Sequence, residues 1–371
     1  MSALFRCPPE VLLRSAIRQG QNLTRNAQTP KLHRCLQVSP VSSARSTHRA
    51  AVCTELGKPL KLQEVPSEEL CTGQKVRLSI KGCGINYSDL LMAAGLYQDK
   101  PPLPFIPGAE VAGDVIEVAE GVTSVSKGDR VVAMAALGGF AEQCIVDEES
   151  VFRMPDSMSY EEGAAVVISY GTAWLGLTRR ANTKPGETVL VTAAAGAVGL
   201  ATVDLATNVI GAKVIGAAGG PEKCKVVADK GAIGTIDYNT QSIRDVVKEM
   251  TDDRGADVIC DAVGGDVFKQ CLRCIAWEGR ILVIGFAGGD IPKIPANILL
   301  VKNISAVGLF WGNYRINDES THRKSIQDVL GFYQEGKIKP HIGKTFSLDK
   351  ANEAFMYIHK RKSTGKVVIT M

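Results

Sequence analysis

The sequence predicts an α/β protein in which a doubly wound parallel sheet is inserted into a second, mostly β domain. Three observations predict it. Between about residues 51 and 151, short β-type runs alternate with Gly, Pro and Asp punctuation. From Thr188 the rhythm changes to strand then helix, at the spacing of parallel βαβ units. After Leu309 come two helical stretches and one strand, which cannot extend that alternation, so the C-terminus is expected to return to the first domain.

The chain opens on a leader that belongs to neither domain. Residues 1–50 hold eight basic side chains (Arg6, Arg14, Arg18, Arg25, Lys31, Arg34, Arg45, Arg49) and one acid, Glu10. With its serines and an amphipathic opening (Leu4, Phe5, Val11, Leu12, Ile17), this segment reads as a mitochondrial transit peptide cut before Ala51, with the matrix as destination. The other reading is a basic tail on a cytoplasmic protein. The formal charge of +4 comes from this leader; the remainder has 35 basic against 38 acidic residues, which argues against nucleic acid as a partner. No apolar run approaches the roughly 20 residues of a membrane helix. Ten cysteines lie scattered without a secretory signal, so a disulfide framework is not expected. Cys271 and Cys274 form a lone CxxC on an expected helix and read as a buried structural pair.

In the first domain, strands are expected at 75–80, 110–119, 130–133 and 143–146. In the second, the alternation runs through 188–192, 198–209, 213–217, 221–230, 235–238, 243–250, 257–261, 267–276 and 280–285. Helices near 321–334 and 349–360 and a strand at 366–370 close the chain.

The strongest local signal is Ala193-Ala-Ala-Gly-Ala-Val-Gly199, directly after the run 188–192. A strand entering such a turn and then a helix aims backbone N–H groups and a positive helix end at a pyrophosphate. Gly196 permits close approach of phosphate, and Gly199 lets the helix pack on its strand. The next strand ends in Ala218-Gly219-Gly220, with no carboxylate for a ribose 2′-hydroxyl. Lys223, in the first turn of the following helix, can pair with a 2′-phosphate, so the expected cofactor is NADPH.

Further motifs extend the pattern: Gly84-Ile-Asn-Tyr-Ser-Asp89, Gly95-Leu-Tyr97, Pro107-Gly-Ala-Glu-Val-Ala-Gly113, Gly138-Gly-Phe-Ala-Glu142, Tyr170-Gly-Thr172 and Asp261-Ala-Val-Gly264. Over residues 51–371 the chain resembles the quinone oxidoreductase (zeta-crystallin-like) branch of the medium-chain dehydrogenase/reductase superfamily. The resemblance implies a GroES-like substrate domain at 51–171 plus 310–371 and a Rossmann dinucleotide-binding domain at 172–309. It implies that Gly219, Lys223 and Tyr238 surround the 2′-phosphate, and that Ala195, Gly196, Ala197 and Val198 line the pyrophosphate. Thr172, Val263, Gly285, Phe286, Phe310 and Trp311 would flank the nicotinamide, Asn86 would lie near its ribose, and Lys366 would reach cofactor phosphate. A homodimer is implied as well. Zinc-dependent relatives carry Cys where Asn86 stands and His where Ala109 stands, and the cysteine lobe of structural zinc is missing, so no metal site is expected.

The expected reaction is zinc-free hydride transfer to a quinone or conjugated enone, with the difficult chemistry carried by the cofactor. Asn86, Tyr97 and Tyr87 are candidate donors to the developing oxyanion, with Asp89 as orienter. Tyr97 reads equally as a packed aromatic and Asp89 as a helix cap. Two alternatives share the fold: a mitochondrial 2-enoyl thioester reductase, and a weakly catalytic NADPH-binding structural or RNA-binding protein. His322, His341 and His359 lie outside every motif and are expected at the surface.

Overall fold

The computed structural model describes residues 46–70 and 73–371. The leader's first 45 residues therefore lie outside the described part. The leader boundary needs correcting, because strand β1 (Thr47–Val52) pairs antiparallel with β2 (Lys61–Pro66) from Thr47 opposite Pro66 onward. A cut before Ala51 would remove four of those paired residues, including the fully buried Ala50.

The substrate-side sheet is built from β3 (Lys75–Gly84), β4 (Glu110–Val118), β5 (Arg130–Met134), β6 (Gln143–Asp147) and β7 (Val151–Arg153). Helix α1 (Tyr87–Ala93) leaves the end of β3, and helix α2 (Tyr160–Leu175) follows β7. The parallel sheet then develops as β8 (Thr188–Val191), α3 (Ala197–Leu205), β9 (Lys213–Ala218), α4 (Pro221–Asp229), β10 (Gly234–Asp237), α5 (Ile243–Met250), β11 (Ala256–Asp261), α6 (Gly265–Cys274), β12 (Ile275–Val283), α7 (Ala296–Lys302) and β13 (Ser305–Gly308). The chain closes with α8 (Tyr314–Asn317), α9 (Glu319–Gln334), β14 (Ile342–Ser347), α10 (Ala351–His359) and β15 (Lys366–Thr370).

The second sheet has the order β10-β9-β8-β11-β12-β13, every pair parallel. Numbered within the sheet this is 3-2-1-4-5-6, the Rossmann order, with its reversal point between β8 and β11. In the first sheet β15 pairs antiparallel with β3 and brings β14 with it. The last residues thus return to the first sheet, as the break in alternation implies.

The helix α2 is not foreshadowed by periodicity. Its residues from Gly163 to Leu175 are nearly all apolar and mostly buried, so no polar face marks a 3.6-residue repeat. A capping box starts it: Ser159 accepts from the Glu162 N–H and Glu162 accepts in turn from the Ser159 N–H. This helix packs against β3, β4 and β5 on one side and α3 on the other, so it is common to both sheets. The expected division after residue 171 falls inside it. Cys271 and Cys274 both sit buried on α6, where Cys274 Sγ donates to the Cys271 carbonyl, and burial raises both thiols.

Candidate functional site

Strand β8 ends at Val191, and Thr192 to Gly196 form the turn into α3. Ala193 takes a left-handed φ of 46°, and its carbonyl accepts from the Gly196 N–H at 2.8 Å. A Cβ on Gly199 would stand 2.3 Å from that same carbonyl oxygen, so glycine is required where the helix crosses the turn. The helix is capped by Gly196, which offers no side chain to its first N–H groups. The C-terminal segment docks here too: the Gly365 N–H donates to the Ala195 carbonyl at 2.8 Å.

At the end of β9 a second group gathers. A Cβ on Gly219 would meet the Tyr238 ring at 3.0 Å, so the ring lies over this glycine. Gly220, with φ 94°, precedes Pro221 at the start of α4. Lys223 Nζ donates to the Arg361 carbonyl at 2.6 Å, and Arg361 itself holds a left-handed φ of 54°. Burial, followed by the nearby Arg361 charge, lowers the Lys223 pKa; the same charge pulls against the burial that raises Tyr238. Two cations and a phenol thus share one patch, and among the described residues no carboxylate is bonded to them. Asp237 is occupied elsewhere, accepting from the Gly220 and Asn239 N–H groups. Sequence reasoning missed Arg361; the run Lys360-Arg361-Lys362 was its signal.

The loop after β11 is set by Asp261, which is fully buried. Its carboxylate accepts from Thr192 Oγ1 at 2.7 Å and from the Val263 and Gly264 N–H groups at 3.2 and 3.0 Å. Desolvation raises its pKa against those bonds. Ala287 and Gly288 donate to the Ala262 and Val263 carbonyls, tying the Gly285-Phe286 turn to the same loop. Thr172 is buried on α2. Phe310 is half exposed, whereas Trp311, expected beside it at the nicotinamide, is 3% exposed, lies against Gly171 and donates to Ser325.

Asn86 caps α1 at the centre of a buried polar cluster. Asp89 accepts from the Asn86 N–H at 2.7 Å and from the Gly108 N–H at 3.3 Å. Burial raises its pKa to about 6 against these bonds and the field of Lys366. The expectation that Lys366 reaches cofactor phosphate also needs correcting. Its Nζ is buried, 2.5 Å from Glu110 and 2.7 Å from Asn86 Oδ1. Glu110, 0% exposed, also accepts from the Ile168 N–H on α2 and weakly from Asn86 Nδ2. The Asn86 amide is therefore engaged at both ends. Tyr97 is half-buried, and its pKa is raised by burial and then by Asp99 and Asp89. Tyr87 is exposed. Glu110 received no role from sequence, although an acid inside the run Gly108-Ala-Glu-Val-Ala is an anomaly that could have flagged it.

The surface expectation for the histidines fails at His322, which is 3% exposed and stacked on Trp311 at 4.2 Å. His341 is half-buried and bonded to Thr364 Oγ1. Among the described residues no group of three or more His, Cys, Asp or Glu side chains could hold a metal ion, and no helix is long and apolar enough to cross a membrane.

Residues 72–156 match the family model described as alcohol dehydrogenase GroES-like domain, and residues 197–329 the one described as zinc-binding dehydrogenase. A solved quinone oxidoreductase from Thermus thermophilus, studied also as its NADPH complex, superposes with a TM-score of 0.75 at 33% identity, covering 87% of this chain and all of that one. Fold and site thus define an oxidoreductase of the medium-chain dehydrogenase/reductase superfamily. Among curated proteins, the chain is 52% identical to quinone oxidoreductase-like protein 2 homolog of Nematostella vectensis over 99% of both chains. It is 49% identical to the Mus musculus quinone oxidoreductase-like protein 2 over 87% of this chain and 92% of that one. The chain belongs to the quinone oxidoreductase branch of the superfamily.

Proposed function

We propose that the protein is an NADPH-dependent reductase that delivers hydride to a quinone or conjugated enone without zinc. The observation that carries the cofactor reading is the grouping of Lys223, Tyr238 and Arg361 around Gly219. Two cations suit a 2′-phosphate, whereas a ribose 2′-hydroxyl is held best by a carboxylate. The Thermus relative's complex with NADPH supports the same choice. Ala195, Gly196, Ala197, Val198 and Gly199 would hold the pyrophosphate, and Thr172, Val263, Gly285, Phe286 and Phe310 the nicotinamide end. When bound, the reduced nicotinamide supplies the hydride.

The chain's own contribution is binding, orientation and a hydrogen bond. Asn86 is held by Lys366, Glu110 and Asp89, so it acts as a fixed wall. Among the described residues the Tyr97 hydroxyl has no hydrogen-bond partner, which leaves its O–H free to donate a hydrogen bond to the oxyanion left by hydride addition. Zinc does not fit: the positions that hold it in the zinc enzymes are an amide, Asn86, already engaged, and a methyl group, Ala109.

Titration of the full chain by tryptophan fluorescence is expected to show NADPH binding more tightly than NADH. Lys223→Ala should weaken NADPH by about tenfold to a hundredfold and leave NADH nearly unchanged, the loss of a charge-assisted bond. Equal weakening of both cofactors would overturn the 2′-phosphate assignment. Loss of reduced-cofactor absorbance with a quinone and an enone then decides between the acceptors.

The protein is also proposed to form a homodimer through the free edge at β13. Helix α7 beside it has no buried residue, with Leu300 and Val301 at 78% and 75% exposure. Sedimentation at equilibrium should give twice the chain mass, and Leu300→Glu with Val301→Lys should give the single mass; a monomeric parent protein sinks the idea.

A further inference from the structure

The segment between α10 and β15 runs along the cofactor side of the molecule. The helix ends in a turn, where the Arg361 and Lys362 N–H groups donate to the Ile358 and Tyr357 carbonyls at 2.8 and 3.1 Å. Residues 362–364 belong to no helix or strand. Two contacts pin the segment: Lys223 Nζ donates to the Arg361 carbonyl at 2.6 Å, and the Gly365 N–H donates to the Ala195 carbonyl at 2.8 Å. It therefore spans from the group assigned to the 2′-phosphate to the turn assigned to the pyrophosphate. Ser363 stands two residues from either contact, within about 7 Å of chain.

The hydroxyls at the end of this segment differ. Thr364 Oγ1 is bonded to His341 at 3.1 Å, and the Thr364 carbonyl is packed so closely on Gly343 that a Cβ there would stand 1.9 Å from it. Ser363 is half-buried, and among the described residues its hydroxyl has no hydrogen-bond partner. Lys360, Arg361 and Lys362, directly before it, are all exposed. A free serine that follows three exposed cations on irregular backbone is the pattern a protein kinase with an acidic substrate groove selects by charge.

We infer that Ser363 is a phosphorylation site for a kinase that selects basic segments, and that its modification expels the 2′-phosphorylated cofactor. In the transfer the Ser363 oxygen bonds to the γ-phosphorus of ATP and the bond from that phosphorus to the β,γ-bridging oxygen breaks. ADP leaves with the electron pair, and the hydroxyl proton passes to the kinase's base. The product carries a charge of about −1.5 to −2 at pH 7. Arg361 lies two residues away and Lys223 is bonded to its carbonyl, so the new phosphate engages the cations that would otherwise meet the 2′-phosphate. The inference rests on the NADPH reading. NADPH loses both those cations and the space beside them; NADH, without a 2′-phosphate, meets only repulsion between phosphoserine and its pyrophosphate, which salt screens. By linkage, bound NADPH opposes the modification.

The test treats the full chain with the catalytic subunit of cAMP-dependent protein kinase and magnesium ATP, locates the phosphoryl group by tandem mass spectrometry, and titrates NADPH and NADH by tryptophan fluorescence. One phosphoryl group is expected on Ser363, added more slowly when NADPH is saturating. The modified protein should bind NADPH about tenfold or more weakly and NADH no more than about threefold weakly. Ser363→Glu should shift the two affinities in the same direction. No phosphoryl group on Ser363, or a modified protein that keeps the parent's preference between the two nucleotides, overturns the inference. Ser363→Ala reports the cofactor reading by itself and should prefer NADPH as the parent does. Equal affinities in that unmodified variant and in the parent would bring down the 2′-phosphate assignment, and this inference with it.

Discussion

Glu110→Ala is expected to destabilise the protein by about 3–5 kcal/mol, the usual cost of leaving one member of a buried ion pair without its partner. The cause is Lys366, 2% exposed, which would keep only Asn86 Oδ1 and a 3.4 Å contact with Ser169. The Ile168 N–H on α2 would lose its acceptor at the same time. Chemical denaturation of Glu110→Ala, Lys366→Met and the double variant checks this as a cycle. The double variant should recover much of the loss, because no charge is then stranded. A single-variant loss below about 1 kcal/mol would show that the pair is not dry enough to matter.

The second large effect is acid sensitivity from His322. Burial first, then Arg315 and Arg323, lower its pKa from 6.5 to about 4. Between those values the unfolded chain binds a proton that the folded protein refuses, so stability rises with pH across the window. The contribution is complete above 6.5 and is lost as pH falls toward 4. It amounts to about 3 kcal/mol at 1.36 kcal/mol per unit. His48 and His341 are lowered too, and Asp89, raised to about 6, acts in the opposite sense by losing stability as pH rises through that value. The quantity to measure is therefore the difference between parent and His322→Gln in denaturant midpoint from pH 4 to 7. A difference that stays flat would mean the ring is solvated.

The second sheet was the most legible part of the chain. The stretch expected at 243–250 coincides with α5, and 213–217 and 221–230 fall within a residue of β9 and α4, because Gly, Pro or a short polar run punctuates each connection and the outer helix faces are polar. Helix α2 was not legible, since a helix buried on nearly every side carries no period. The same limit shaped the site. Lys223 could be found from its place in a first turn, a local property. Lys366 was taken for a phosphate ligand on the family resemblance alone, and only strand pairing across the first sheet puts Glu110 beside it. His322 was placed at the surface on account of its charged neighbours, yet adjacent helix residues face different ways, and α9 turns this one against Trp311.

The position of β15 also bears on how the molecule is made. Every strand of the parallel sheet has been synthesised once Gly308 leaves the ribosome, so that sheet can assemble while translation continues. The first sheet cannot finish in the same way. Its β15 and Lys366 lie within the last residues, so Glu110 waits through most of synthesis for its countercharge, and the Ala195 carbonyl waits for Gly365. A nascent chain stalled a few residues early would present a completed nucleotide sheet beside an unneutralised carboxylate, a species that quality-control proteases could distinguish from the finished protein.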